Sequence, residues 1–452
     1  MRMNKTLFFM AMMAATLTAT AQLKPRPDAF PPVQEQLDGK AVTMASTAEE
    51  MADWDRYPTY PVYLEMMQRW AESFPQLCHV DTIGTSIRGR LILSLYIDVQ
   101  TDDDLYRPEF FYSSTIHGDE VTGFVMMLRL IDTLLNGYNS NPLYTDLINR
   151  TRISINPLAN PDGTYRNGNN TVQGAVRYNA NMVDLNRNYP NPFAVSSPTP
   201  PYPPQGGTVI GDIVPPRGGQ GGVKAALQPE NQAMIEYMEA HHFRLSANLH
   251  GGAEVMNYPW DSFTSAEMPH PSASWWQEVC KRFVDTSRTY DNNHFRDTYN
   301  CGYTAGGDWY VITGGRQDYV NYYLGCNEMT MEISTQKTLS SNRLPEYWDF
   351  LQHSLVNYIG EIHNAPDNPI GVESPLSSLH SPLTVYPNPA CDIVTVDGLQ
   401  PNCKIELFDI AEHRILSVSA PSEGRVQLDL ATLRPGVYIL RCGTAATKLV
   451  KR

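Results

Sequence analysis

The run "TIHGDE" at 115–120 sets His117 and Glu120 three residues apart, directly after an apolar, β-branched stretch. An imidazole and a carboxylate at that spacing can share a divalent ion if a third ligand arrives from elsewhere in the chain. Alone the pair is weak evidence, because with 11 histidines in 452 residues a His-x-x-Glu match is easily met by chance. A catalytic zinc takes about three protein ligands and leaves one position for water, and two His with one Glu is a known set. His250 in "LSANLHGG" is the candidate third ligand: like His117 it ends a strand-like run, and adjacent strands can bring both side chains to one point. Glu332 lies inside "EMTMEIS", an apolar strand pattern in which an unpaired carboxylate is costly, so it needs a partner or a chemical task. "VDLNRNYP" puts Asn186 beside Arg187, and Arg177 stands shortly before them. Such arginines are ordinary surface charges in many chains, but their planar fork is also the side chain best suited to gripping a carboxylate.

These residues need rigid elements to bring them together. A helical pattern runs through "YPTYPVYLEMMQRWAESFP", with Tyr63, Met66 or Met67 and Trp70 on one face, and stops near Pro75. Strand patterns follow in "LILSLYIDV" and "EFFYSST", then helix in "VTGFVMMLRLIDTLL", strand in "RISINPL", helix in "QPENQAMIEYMEAHHF" and strand in "RLSANLH". The alternation predicts an α/β domain, a mixed or mostly parallel sheet flanked by helices, with functional residues at strand ends. Residues 189–222 are too rich in Pro and Gly for regular structure and read as a long surface loop.

The remaining segments divide the chain. Basic Arg2 and Lys5, an apolar stretch too short to span a bilayer, and Ala19-Thr20-Ala21 before Gln22 read as a signal peptide over 1–21. Residues 22–54 read as an N-terminal arm or pro-segment, 55–363 as the main domain and 364–382 as a Pro- and Ser-containing linker. Over 383–452, short alternating segments separated by turn signals predict a small β-sandwich. No later stretch has the ~20 apolar residues of a transmembrane helix. The formal charge of −14 becomes about −16 without the signal peptide, which argues against a nucleic-acid partner. Seven cysteines are an odd number in a disulfide-permitting export route, so at least one is free or joined between chains, with Cys280 and Cys301 a candidate pair.

Taken together, "HGDE", "NPDG", "DLNRN", "SANLHGG", "NYPWD", "WYVITGGRQDY" and "NEMTMEIS" resemble the zinc metallocarboxypeptidases of the carboxypeptidase A family (M14), closest to the branch of carboxypeptidases D, E, M and N. The resemblance spans about residues 55–363. It implies one zinc ion on His117, Glu120 and His250, with Asp184 orienting the first histidine. It further implies Glu332 as general base, Arg177 as the oxyanion stabiliser, and Asn186, Arg187 and Tyr310 as holders of a substrate's terminal carboxylate. Asp261 matches the branch's acid for a Lys or Arg side chain, and Gln317 a polar wall of the same pocket. Two departures stand out: the branch's usual transthyretin-like β-domain does not follow the catalytic domain, and Arg316 replaces an apolar residue, where its charge could repel a basic substrate.

The terminal segments "VYPNPACDIVTV", "IELFDIAEHRIL" and "LDLATLRPGVYILR" resemble the C-terminal sorting domain of the type IX secretion system of Bacteroidetes. That resemblance implies contact with the secretion machinery and a destination at the cell surface or beyond. The expectation is a secreted carboxypeptidase acting on peptide or protein C-termini and preferring Lys or Arg. The alternatives are a peptidase for neutral or cell-wall stem-peptide residues and a catalytically inactive peptide-binding relative. A serine hydrolase is disfavoured, since "GTSIRG" around Ser86 does not satisfy G-x-S-x-G.

Overall fold

The computed structural model describes residues 42–99, 107–191, 226–368 apart from 297, and most of 384–451. The signal-peptide reading, most of the arm, all but the first three residues of the Pro- and Gly-rich loop and most of the linker lie outside these residues.

The strands of the main part are β1 (Met44–Ala45), β2 (Tyr57–Pro58), β3 (Cys78–Thr85), β4 (Leu91–Ile97), β5 (Glu109–Ser114), β6 (Arg152–Asn156), β7 (Phe243–His250), β8 (Ala253–Tyr258), β9 (Tyr303–Ala305) and β10 (Asn327–Ser334). The longer helices are α1 (Tyr60–Ser73), α2 (Thr122–Gly137), α3 (Pro142–Arg150), α4 (Pro229–Ala240), α5 (Ala273–Arg288), α6 (Arg316–Tyr323) and α7 (Leu344–Gly360). Eight strands form one sheet in the order β3-β4-β6-β5-β7-β10-β8-β9. The run β6-β5-β7-β10 is parallel, the pairs β3–β4, β4–β6 and β10–β8 are antiparallel, and β9 runs parallel to β8 at the far edge. The mixed α/β sheet expected from the sequence is therefore present.

Strand periodicity gives this sheet two faces. Leu245, Ala247 and Leu249 of β7 and Met329, Met331 and Ile333 of β10 enter a large core with residues of α1, α2, α5 and α7. Phe111, Phe243, Trp260, Tyr319 and Val320 belong to a second core that includes residues of α4 and α6. The alternate residues of β7 and β10 point away from the large core, and they are polar: Ser246, Asn248 and His250, then Glu328, Thr330 and Glu332.

Part of the N-terminal segment belongs to this domain. Ala45, Met51 and Trp54 are buried in the large core, and β1 pairs with β2, so the packed domain begins before residue 55. The expected Cys280–Cys301 bridge is not formed. Cys280 is buried on α5 with its Sγ 3.7 Å from Met329 Sδ, whereas Cys301 is exposed and both thiols are free.

Among its described residues the terminal part has the strands β11 (Thr384–Tyr386), β12 (Ile393–Asp397), β13 (Lys404–Asp409), β14 (Arg414–Ser419), β15 (Arg425–Asp429), β16 (Gly436–Cys442) and β17 (Ala445–Lys451). They form two antiparallel sheets, β11-β12-β15 and β14-β13-β16-β17, over a core that includes Val394, Val396, Leu407, Leu428 and Leu440. Cys442 in β16 is disulfide-bonded.

Candidate metal centre and substrate cleft

His117 follows the end of β5. Thr115, with φ +64°, turns the chain out of the strand, and its hydroxyl donates to the Pro157 carbonyl at 3.2 Å. The next turn fits only because two glycines meet: a Cβ on Gly118 would lie 2.4 Å from the carbonyl carbon of Gly163. The "NPDG" segment is thus a buttress for "HGDE". Thr164 Oγ1 donates to the Gly118 carbonyl at 2.9 Å, and Gly118 N–H donates to the Arg177 carbonyl at 3.2 Å. His250 arrives from the end of β7, and register pairs it with Glu332 on β10.

Three buried side chains converge. His117 Nδ1 lies 3.0 Å from Glu120 Oε1, His250 Nδ1 lies 2.8 Å from Glu120 Oε2, and the two Nδ1 atoms are 3.0 Å apart. Two donors each bound at 2.0–2.1 Å to one tetrahedral ion stand roughly 3.3 Å apart, so small side-chain movements admit zinc. Among the described residues this is the one group of three or more His, Cys, Asp or Glu side chains able to hold a metal ion.

The far nitrogens of both rings are also engaged. His117 Nε2 is 3.2 Å from Asp184 Oδ1, and Asp184 Oδ2 accepts from Arg177 Nε at 2.7 Å. His250 Nε2 faces the Asn248 amide at 2.9 Å, while Asn248 Oδ1 is buried without a partner. Turned end for end, that amide accepts Nε2–H and leaves Nδ1 bare for an ion. The donor set, its spacing and these outer contacts fit zinc.

Electrostatics keeps the ligands in metal-binding states. Burial pushes His250 down to about 4, so its ring is neutral at ordinary pH. Burial alone would raise Glu120, but His117, Lys337 and His250 hold its carboxyl well below the usual range. Asp184 follows the same pattern, with burial overcome by Arg177 and His117. Lys337, which the sequence reading passed over, puts Nζ 3.1 Å from Glu120 Oε1 and 3.0 Å from Asp119 Oδ2.

Beside this centre is a narrow cleft whose lining includes His117, Arg177, Asn186, His250, Asp261, Tyr310 and Glu332. Arg187 and Gln317 are not part of that lining. Arg187 is buried behind Asn186 and donates from Nη1 to its carbonyl at 2.7 Å. Gln317 holds Asp261 from behind: Nε2 donates to Asp261 Oδ1 at 2.8 Å, and Oε1 accepts from Thr330 N–H at 2.7 Å. Burial, reinforced by the nearby carboxylate of Asp318 and opposed by Arg187, raises Asp261 well above the ordinary range.

The expected repulsion from Arg316 is not what the structure contains. Its guanidinium is buried against Glu328, with Nη2 2.9 Å from Oε2, and lies over the Phe111 ring. Its backbone N–H donates to Asn186 Oδ1 at 2.9 Å, so the start of α6 also fixes Asn186. Asn257 and Thr330, which the sequence reading did not single out, line the cavity from β8 and β10. The polar alternates in "NEMTMEIS" are the signal that would have found Thr330, whereas Asn257 alternates with apolar Ala253 and Val255 and has no such signal.

Comparison with known proteins agrees with this geometry. Residues 63–353 match the zinc carboxypeptidase family (peptidase M14). The chain is 31% identical over 329 residues to the human carboxypeptidase N catalytic chain, covering 68% of this chain and 69% of that one. It is 29% identical over 351 residues to duck (Anas platyrhynchos) carboxypeptidase D, covering 75% of this chain but only 23% of that much longer protein. The crystal structure of carboxypeptidase A from Helicoverpa armigera shares the fold with a TM-score of 0.54 at 17% identity, covering 70% of this chain and 76% of that one. Residues 384–452 match a secretion system C-terminal sorting domain, a tail that marks type IX export to the cell surface or extracellular space. No helix among the described residues is long and apolar enough to cross a membrane. With its family model matched across most of its length and its metal-binding triad assembled, the chain belongs to the zinc carboxypeptidase family.

Proposed function

We propose that this protein is a secreted zinc metallocarboxypeptidase that removes the C-terminal residue of peptides or proteins, with a preference for Lys or Arg. The observation that carries the reading is that one cavity is lined by the metal-binding histidines, Glu332, Arg177, Asn186, Tyr310 and Asp261. When bound, zinc on His117, Glu120 and His250 supplies a Lewis acid and makes water easier to ionise.

The other steps belong to the chain's own side chains. Asn186 and Tyr310 hold the substrate's terminal carboxylate, with the charge of Arg187 directly behind, which restricts cleavage to the last peptide bond. Glu332 accepts a proton from the attacking water and returns it to the leaving amine. Arg177, kept cationic by Asp184 and Glu120 against the effect of burial, stabilises the negative charge that develops on the scissile carbonyl oxygen. Asp261, held by Gln317, pairs with a basic side chain of the departing residue. The C-terminal tail engages the type IX secretion machinery.

The test is metal analysis together with kinetics on peptides differing only in the last residue: Arg, Lys, Phe and a diamino acid. The expected result is about one zinc per chain, release of a single C-terminal residue, loss of activity on chelation and recovery with zinc. Turnover that survives full removal of metal would end the assignment, and equal rates on Arg and Phe would end the basic preference alone.

A further inference from the structure

Lys337 has no place in the steps above, and neither it nor Asp119 lines the cleft. Its ammonium is nonetheless 3.1 Å from Glu120 Oε1, and 3.1 and 3.0 Å from Asp119 Oδ1 and Oδ2. The residue is 8% exposed. A buried cation persists only when it is paired, and this one is paired with a metal ligand and with that ligand's neighbour in the chain.

The segment after β10 that carries Lys337 is joined to both turns that deliver ligands. Val121 N–H donates to the Lys337 carbonyl at 2.9 Å, and Thr338 Oγ1 donates to the Asp119 carbonyl at 3.2 Å. Gly252 N–H, just past His250, donates to the Ser334 carbonyl at 2.7 Å. Gly252 has φ +111° and makes room for the lysine stem, since a Cβ there would stand 3.2 Å from Lys337 Cγ. The same segment is anchored to the N-terminal strands: the Tyr57 hydroxyl donates to the Leu339 carbonyl at 3.0 Å, and Thr43 N–H to Ser341 Oγ at 2.8 Å. Lys337 is therefore a side chain fixed in place by its backbone and by its stem.

Such a cation acts on a bound dication in two opposite ways. Its charge repels the ion, whereas its hydrogen bond orients Glu120 before the ion arrives and spares part of the ordering cost. Asp119 decides between them. Both its oxygens sit on the same ammonium, so the pair is close to neutral as seen from the ion and the orienting effect prevails.

We propose that Lys337 is a positioning residue of the metal centre, holding Glu120 with the help of Asp119 in its ligating orientation and so tightening zinc binding; this rests on the zinc reading above. Metal-free wild type, Lys337→Met and Met331→Ala are titrated with zinc against a chromogenic chelator, well below their melting temperatures, and their cobalt-loaded forms are compared by visible absorption. Lys337→Met is expected to bind zinc about 10- to 100-fold more weakly and to shift the cobalt bands. Met331→Ala, which loosens the core on the other face of β10, is expected to match the wild type in both. Zinc bound by Lys337→Met as tightly as by the wild type, or more tightly, overturns the proposal and leaves the zinc site intact. An equal loss in Met331→Ala also overturns it, because general loosening then accounts for the effect. A wild type that takes up no zinc overturns the zinc reading and this proposal with it. Should Lys337→Met fail to fold, the charge-balanced Asp119→Asn plus Lys337→Met protein replaces it, with the same expected loss and the same overturning result.

Discussion

β7 and β10 each present two faces, and the contrast between them organises the molecule. One face is Leu245, Ala247, Leu249, Met329, Met331 and Ile333, all within the large core. The other is Ser246, Asn248, His250, Glu328, Thr330 and Glu332, equally buried but polar. A buried polar row has to be satisfied along its length. Glu328 is met by Arg316 and by the hydroxyl of Ser246, Thr330 N–H by Gln317, and Asn248 by His250. Only toward the carboxyl ends of the strands, at His250, Thr330 and Glu332, does the row open into the cleft. The same backbone thus allots stability to one set of alternate residues and chemistry to the other.

The largest effect should come from the residue at the mouth of the polar row. Glu332→Gln keeps the shape but removes the proposed base, and kcat should fall by roughly 10²–10⁴-fold with zinc content and melting temperature little changed. Kinetics paired with metal analysis checks this. Near-normal turnover by a fully metallated variant would place the proton transfer elsewhere.

Deeper in the row, Arg316→Met leaves Glu328 buried without its cation and should cost about 3–5 kcal/mol of stability in denaturant unfolding. Restoring neutrality with Arg316→Met plus Glu328→Gln should recover much of that loss. Arg316 Nη1 and Glu328 Oε1 have no partners even in the native pair, so its net worth is small beside the cost of breaking it. On the opposite face, Met331→Ala removes a fully buried side chain adjacent to Glu332 and should cost about 2–5 kcal/mol. Its kcat, measured well below the melting temperature, should change far less than that of Glu332→Gln. A variant with normal stability and lost activity would mean that the two faces are not independent.

Much of this division was legible in the sequence. The apolar alternates of "EMTMEIS" and "RLSANLH" marked strands, and the pairing of His117 with Glu120 and His250 followed from strand ends converging. What stayed hidden depends on contacts between distant segments. Nothing local in "GGRQDY" tells that Arg316 turns onto Glu328 instead of the pocket, because the partner lies on β10 and the contact is set by how α6 packs on the sheet. Lys337 was equally invisible: its pairing with Asp119 and Glu120 joins residues more than two hundred positions apart. Gln317 was read as a wall and is instead a brace, a distinction of a few ångströms that spacing does not encode.

The smallest predicted effect, and the most specific to the polar face, concerns Asp261. Burial raises its carboxyl well above the ordinary range, with Asp318 and Glu328 adding to the rise and Arg187 opposing it, while burial sets Asp318 at about 6. An acid whose folded value is raised contributes stability fully below its unfolded value of about 3.9 and loses that contribution as pH climbs through the folded value. The Asp261 contribution should therefore fall as pH rises from about 4 through about 6 and beyond, while the neutral buried His250 adds stability over part of the same range, so the melting temperature of the wild type relative to Asp261→Asn should decline across it. A guanidinium in the pocket favours the ionised carboxylate, so free L-arginine should raise the melting temperature more at pH 7.5 than at pH 5. For the same reason kcat/KM on an Arg-ended peptide, divided by that on a Phe-ended one, should rise with pH in the wild type. In Asp261→Asn the ratio should stay flat and about 10- to 100-fold lower. A wild-type ratio independent of pH would mean that Arg187 already holds Asp261 ionised before substrate arrives, making the pocket a preformed anion instead of one completed by its ligand.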